Sequence, residues 1–306
     1  MDPADLIKEF GADIVRLWAA SSDYHADVRC SKEIFKQLSQ NYLKFRNTAR
    51  YCLGNLDGFD ANNLVSPADM EELDRWAISR LNVLIERCFK SYHEYDFSTI
   101  THAINDFCVV EMSNFYLDII KDRLYCEGKD SQLRRSAQTA MYLILDTMTK
   151  IMAPILCFTC DEIWLAMPHA EGADTRNVLF NEMNKSFTDY ALDEASMAKW
   201  AKIIAIRDVV NAALEAARAE KKIGKGLEAS VALTVTADEA FLAEMEPQAL
   251  ADLFIISQVS VTVGDAVSAA VEPAAGEKCL RCWKVLPTVN AEGLCPRCAS
   301  VVKSFI

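Results

Sequence analysis

Leu133-Arg-Arg-Ser-Ala137-Gln-Thr-Ala-Met141-Tyr-Leu-Ile144-Leu145-Asp-Thr-Met148-Thr-Lys-Ile-Met152 decides the fold of this 306-residue chain. Leu133, Ala137, Met141, Ile144, Leu145, Met148 and Met152 recur every three or four positions, the α-helical period, and the face they form must pack against other helices. Pro154 breaks this helix and begins another that ends before Pro168. Upstream, Ile34, Leu38, Tyr42, Phe45, Ala49 and Leu53 repeat the pattern within Ser31–Leu53, closed by Gly54 and Gly58. Ser66-Pro67 supplies a capping hydroxyl and a first-turn proline for a helix running to about Tyr92. A further helix is expected over Phe97–Tyr125, broken near Gly128, and one or two short ones over Pro3–Arg16, interrupted at Gly11. Helices of this length with short connections imply a mainly α fold, an antiparallel bundle.

Downstream the pattern changes. Residues 170–189 are a polar connection, and Asp193–Lys222 reads as a long helix stopped by Gly224 and Gly226. Ala229–Thr236 and Phe254–Gly264, rich in Val, Ile, Thr and Ser, read as strands separated by one or two short helices. An Ala/Glu/Pro-rich linker, 266–275, leads to the last module. The expected spans are a helical bundle over 1–190, a long helix with a small α+β unit over 191–270, and a metal-binding module over 271–306.

That module contains Cys279-Leu-Arg-Cys282 and Cys295-Pro-Arg-Cys298, two Cys-x-x-Cys pairs twelve residues apart on Gly- or Pro-marked turns. The spacing lets four thiolates meet at one tetrahedral centre, so Cys279, Cys282, Cys295 and Cys298 are read as ligands of one structural zinc, with iron in the same cage as the alternative. Arg281, Lys284 and Arg297 make the segment too polar for four ordinary buried thiols. Four protein ligands leave no open position for substrate water. By contrast, Cys157-Phe-Thr-Cys160 has no strand before it and reads as core packing rather than a redox pair. His25, His93, His102 and His169 show no ligand or triad spacing, and no catalytic residues are identified.

No apolar run reaches membrane-spanning length, and the first residues lack a secretory pattern. Eleven cysteines, mostly scattered through amphipathic helices, fit reduced thiols. A cytoplasmic protein is expected. The net charge is −12, which taken alone disfavours nucleic acid. Local charge decides such binding, however, because only cations near phosphate release counterions. Asp27–Cys52 carries six cations and two anions, Gly276–Ile306 five and two, and Arg218–Lys225 four and one, leaving −22 elsewhere once their +10 is removed. At 100° per residue Lys32, Lys36, Arg46 and Arg50 form one stripe that can follow a phosphate backbone or simply be a solvated face. The cations ending the long helix equally suit its dipole.

Several segments resemble the anticodon-binding region of bacterial isoleucyl-tRNA synthetases. They are Gly11-Ala-Asp-Ile-Val-Arg-Leu-Trp18, Ser22-Asp-Tyr24, Asp27-Val-Arg29, and Phe45-Arg-Asn-Thr-Ala-Arg50 through Leu53-Gly-Asn-Leu56. Met152-Ala-Pro-Ile155, Asp161-Glu-Ile-Trp164, Lys222-Ile-Gly-Lys-Gly-Leu-Glu-Ala229, Glu277-Lys-Cys279 and Arg281-Cys-Trp283 continue the likeness in the right order. The resemblance implies a class I synthetase anticodon-binding bundle, with residues 1–28 a remnant of the segment after the catalytic core. It implies a monomeric tRNA binder, specific for isoleucine tRNA and joined in cis to the rest of an ATP-using isoleucine-tRNA ligase. The HIGH and KMSKS motifs and the editing domain of that family do not occur, so this chain alone is expected to be catalytically inactive. Arg29 is implied as a direct tRNA contact. Lys32, Lys36, Arg46 and Arg50 are the expected backbone contacts, with Lys221, Lys222, Lys225, Arg281, Trp283 and Arg297 further candidates. The rival from another class is a zinc-containing protein-interaction module with no RNA role, suited to the acidic total.

Overall fold

A computed structural model describes residues 2–304; Met1 and residues 305–306, the outer ends of the first and last expected spans, lie outside the described residues. The chain forms two compact units. One contains the residues up to Asp118 together with Gln132–Leu192, the other Ile119–Ser131 together with the residues from Asp193 onward. Ile119–Ser131, expected within 1–190, thus groups with the C-terminal part, and the described residues from Asp193 on, expected as parts of two spans, 191–270 and 271–306, fall in one unit.

Unit one is a helical bundle of α1 (Pro3–Phe10), α2 (Ala12–Ser21), α3 (Lys32–Asn55), α4 (Glu72–His93), α5 (Phe97–Asp106), a π-helical stretch Phe107–Tyr116, α8 (Gln132–Met152) and α9 (Cys157–Ala166). The α6 turn (Leu117–Ile119) and α7 (Lys121–Cys126) follow the π stretch in the chain. Ser31 caps α3, its hydroxyl accepting from Ile34 N. The helix expected to start at Ser66-Pro67 starts six residues later. There the Ser66 hydroxyl donates to Asp69 Oδ2 at 2.7 Å instead of accepting a helical N–H, which closes a turn before α4.

The helix that opened the sequence reading is α8, and it packs against α3, α4 and α9. It is buried all round rather than on one face: every residue from Ser136 to Thr149 is buried. Its polar residues can be there because each has a partner, as buried polar groups require. Ser136 donates to Asp74, Gln138 Nε2 to Asn55 O, and Thr149 to Leu145 O, while Thr139 accepts from Val65 N and Asp146 and Thr147 accept from Asn184. The polar connection 170–189 is pinned in turn to α4, where Asn82 bonds both Phe187 N and Phe187 O.

In unit two α10 (Glu194–Ala219), capped by Asp193 on Ser196 N, packs on a three-stranded sheet. The strand order is β2-β1-β3, with β1 (Ala229–Val235) parallel to β2 (Gln258–Val263) and antiparallel to β3 (Ser268–Pro273), and α11 (Pro247–Phe254) preceding β2. β3 corrects the sequence reading, which made 266–275 a linker. Ala269 and Ala270 carry little strand propensity, but their backbone pairs with Leu233 and Ala232 of β1, and Val271 fills the core. The chain ends with the ribbon β4 (Glu277–Lys278) and β5 (Val285–Leu286) and with α12 (Pro296–Lys303).

Candidate metal centre and nucleic-acid interface

The four cysteines of the terminal module meet as their spacing predicts. Cys279 and Cys282 lie on the turn joining β4 to β5, closed by Cys279 N to Lys284 O and Trp283 N to Cys279 O, both 2.9 Å. Cys295 caps α12, with Pro296 in its first turn, and Cys298 lies one turn on. All four Sγ atoms lie within 4.8 Å of one another, those of Cys282 and Cys295 at 3.9 Å. A tetrahedral zinc with Zn–S bonds of about 2.3 Å requires sulfurs about 3.8 Å apart, so the cage has the right size. All four thiols are free and buried. Among the described residues no other group of three or more His, Cys, Asp or Glu gathers in this way, the histidines included.

The cage is prepared for anionic sulfur. Burial pushes the Cys279 thiol up, but backbone N–H groups of Cys282, Cys295 and Arg281 outweigh it and bring it down to about 6. Cys295 N lies 3.3 Å from Cys279 Sγ, and Cys298 N lies 3.4 Å from Cys295 Sγ. Burial raises Cys282 and Cys298, the cost that a bound cation would remove. Gly276 admits no side chain: at φ +124° its Cβ would sit 2.2 Å from Leu286 O.

Charged side chains lock this module to the segment 119–131. Arg297 donates to both carboxylate oxygens of Asp122, the Nη2–Oδ1 bond being 2.8 Å, and to Glu127 Oε1 at 3.0 Å. Lys284, buried, reaches Asp252 at 2.5 Å and Asp122 at 3.5 Å. Arg281 bonds Cys126 O and, at 3.3 Å, Tyr125 O. Burial pushes the Asp122 carboxyl up, but Arg297 and Lys284 outweigh this and hold it below its ordinary value. Arg281 and Arg297, candidates for RNA contact by sequence, are therefore engaged within the protein. Sequence reasoning missed Asp122 and Glu127 because some 170 residues separate them from Arg297. Trp283, also a candidate by sequence, is 54% exposed at φ +65°, with Lys225 Nζ 5.2 Å from its ring centre.

The basic stripe is present in unit one. Lys32, Lys36, Arg46 and Arg50 are all exposed along α3. Lys32 bonds the exposed carboxylate of Glu9 at 2.6 Å, and this bond raises its pKa. Arg29 is exposed on the extended approach to α3, its carbonyl accepting from Trp18 Nε1 at 3.2 Å. In unit two Lys221, Lys222 and Lys225 are exposed. The first two line a cleft of about 510 Å³ with Arg218 and Lys278. Carboxylates offset part of its charge: Lys222 pairs with Glu220, Arg218 with Glu215 and Lys278 with Glu228. Of the Cys157–Cys160 pair, Cys157 is half-buried. Cys160 is fully buried, and burial pushes its thiol well up.

Residues 74–233 match the family model described as the anticodon-binding domain of tRNA ligase, and residues 276–301 match a zinc finger found in FPG and IleRS. The isoleucine–tRNA ligase of Syntrophotalea carbinolica is 46% identical over 316 residues, covering 98% of this chain and 34% of that protein. That of Caldicellulosiruptor bescii is 45% identical over 311 residues, covering 99% and 34%, and that of Geobacter sulfurreducens 43% over 319, covering 98% and 34%. The chain thus spans about a third of the length of these curated relatives.

Proposed function

Since the chain belongs to the family of tRNA-ligase anticodon-binding domains, we propose that it is the tRNA-holding part of an isoleucine–tRNA ligase. The observation that carries this reading is one chain holding an anticodon-binding match, a zinc-finger match and 46% identity to such an enzyme across nearly its whole length. The exposed stripe Lys36, Arg46 and Arg50, with Lys32, meets phosphates and sets the register. Unstacked anticodon bases are then read by stacking and by hydrogen bonds, with Arg29 beside the stripe and Trp283, exposed and flanked by Lys225, as the candidates. Lys221 and Lys222 add phosphate contacts from their cleft.

One zinc held by Cys279, Cys282, Cys295 and Cys298 cross-links the terminal module; a closed set of four thiolates gives it a structural role. Activation of isoleucine with ATP and its transfer to tRNA belong to other parts of such a ligase, joined in cis, so the chain by itself holds tRNA without acylating it. It acts as a cytoplasmic monomer.

The test is fluorescence anisotropy with an isoleucine anticodon stem-loop against the same stem carrying a scrambled loop, at low salt. Tighter binding of the first, reduced by Arg29→Ala, is expected. Equal binding of both loops, unchanged by that substitution, would favour a protein-interaction module instead.

A further inference from the structure

Among the described residues five of the eleven cysteines gather at the terminal module, one more than a tetrahedral metal needs. The fifth is Cys126, the last residue of α7. It is 7% exposed and shares one buried cluster with Cys279, Cys282, Cys295 and Cys298, against which Leu286, Val289 and Leu294 pack. Its sulfur is not among the four that meet within 4.8 Å. It donates instead to Arg281 O at 3.9 Å, a carbonyl of the turn that carries Cys279 and Cys282. Arg281 ties it to the cage a second time. Its Nη1 bonds Cys126 O and lies 3.8 Å from Cys298 Sγ, so one guanidinium nitrogen touches both residues.

A buried free cysteine usually serves as a small hydrophobe. Cys126 differs in its surroundings: its thiol faces the backbone of a ligand turn, and its own carbonyl is held beside a ligand sulfur. Burial pushes the thiol up to about 11, with Asp122 adding to the rise and Arg297 opposing it. It therefore rests neutral and adds no fifth negative charge to the cage.

We propose that Cys126 is a reserve ligand of the metal centre, taking the place of Cys298 when that sulfur leaves the shell. This rests on the reading of the cage as a zinc site. Such a site accepts any four thiolates that reach tetrahedral positions, because zinc has no geometric preference from its d electrons. Rotation about χ1 to another staggered well re-aims the Cys126 sulfur without moving α7. The exchange is balanced: the Cys126 sulfur bonds the metal as the Cys298 sulfur departs, the proton that Cys126 gives up is the one Cys298 takes, and nothing is oxidised or reduced. Cys298 is the ligand replaced because its sulfur and Cys126 share the Arg281 guanidinium.

Cobalt(II) is the probe, since the intensity of its sulfur-to-metal charge-transfer band rises with the number of bound thiolates. The unsubstituted chain and Cys126→Ala should both show the four-thiolate spectrum. Cys298→Ala should keep that spectrum. The double variant Cys126→Ala/Cys298→Ala should fall to three thiolates and bind zinc about 100-fold more weakly than Cys298→Ala, the share of one ligand in four. Cys298→Ser, which keeps the side-chain volume, repeats the comparison without a cavity. A three-thiolate spectrum in both Cys298 variants, or loss of metal from both, would overturn the proposal and leave the zinc reading in place. A three-thiolate spectrum in Cys126→Ala would also overturn it, by making Cys126 a resident ligand. An unsubstituted chain that binds no cobalt would overturn the zinc reading and the proposal together.

Discussion

Lys221 holds a position that glycine usually fills. At φ +60° it ends α10, its N–H bonding Arg218 O and the next N–H bonding Ala217 O, both 3.0 Å. The left-handed backbone costs a residue with a Cβ about 1 kcal/mol. Lys221→Gly should therefore stabilise the unit by about 0.5–1 kcal/mol in urea unfolding while weakening RNA binding, an opposition that separates fold from function. The sequence suggested Gly224 and Gly226 as the stop because glycine signals an end and lysine does not. Gly226 instead lets the backbone approach Ile255 O, 2.8 Å from where a Cβ would stand. Asp122 makes a second residue-scale case. Its folded pKa is lowered, so its stabilisation is complete above the unfolded value of about 3.9 and is lost as pH falls through the folded one. Asp122→Asn should cost about 2 kcal/mol at neutral pH, since Arg297 and Lys284 lose their shared anion, and should flatten the acid limb of stability against pH in urea titrations.

Among the elements, the terminal knuckle was the most legible in the sequence, because four ligands within twenty residues need only local geometry to meet. Helix α8 was legible as a helix, but its central position was not: Gln138, Asp146 and Thr149 suggest a wet face until their partners Asn55, Asn184 and Leu145 are in place. β3 was illegible because its strand character comes from pairing with β1 rather than from its own residues. The same dependence on distant partners sets how far damage to the knuckle spreads. Taken alone, it would be expected to unfold by itself when a ligand is lost. Arg297, Lys284 and Arg281 tie it instead to 119–131 and 252. Cys279→Ser should remove the zinc and, by hydrogen exchange, lower protection in 119–131 and from 193 onward as well as in the knuckle, leaving α4 and α8 protected. Deprotection confined to 276–301 would show that the ion pairs do not couple these segments.

At the scale of the whole molecule the acidic total and the basic stripe pull in opposite directions, and salt dependence separates them. Self-repulsion between an anionic protein and RNA weakens all binding, but only cations that touch phosphate release counterions and set the slope of log affinity against log salt. Lys32 and Arg50 lie 18 residues apart on α3, about 27 Å at 1.5 Å per residue, so the stripe is long enough to meet several phosphates of one strand. The four cations should not be equal. Lys36→Ala, Arg46→Ala and Arg50→Ala should each flatten the slope by roughly one unit and weaken isoleucine and other stem-loops alike. Lys32→Ala should change it least, because Glu9 already neutralises that ammonium and would have to release it. Glu9→Gln tests this directly: freeing Lys32 should steepen the slope and tighten binding, with no gain in preference between stem-loops. An unchanged slope in Glu9→Gln and in all three alanine variants would place the phosphates elsewhere, with the cleft at Lys221 and Lys222 the next surface to test.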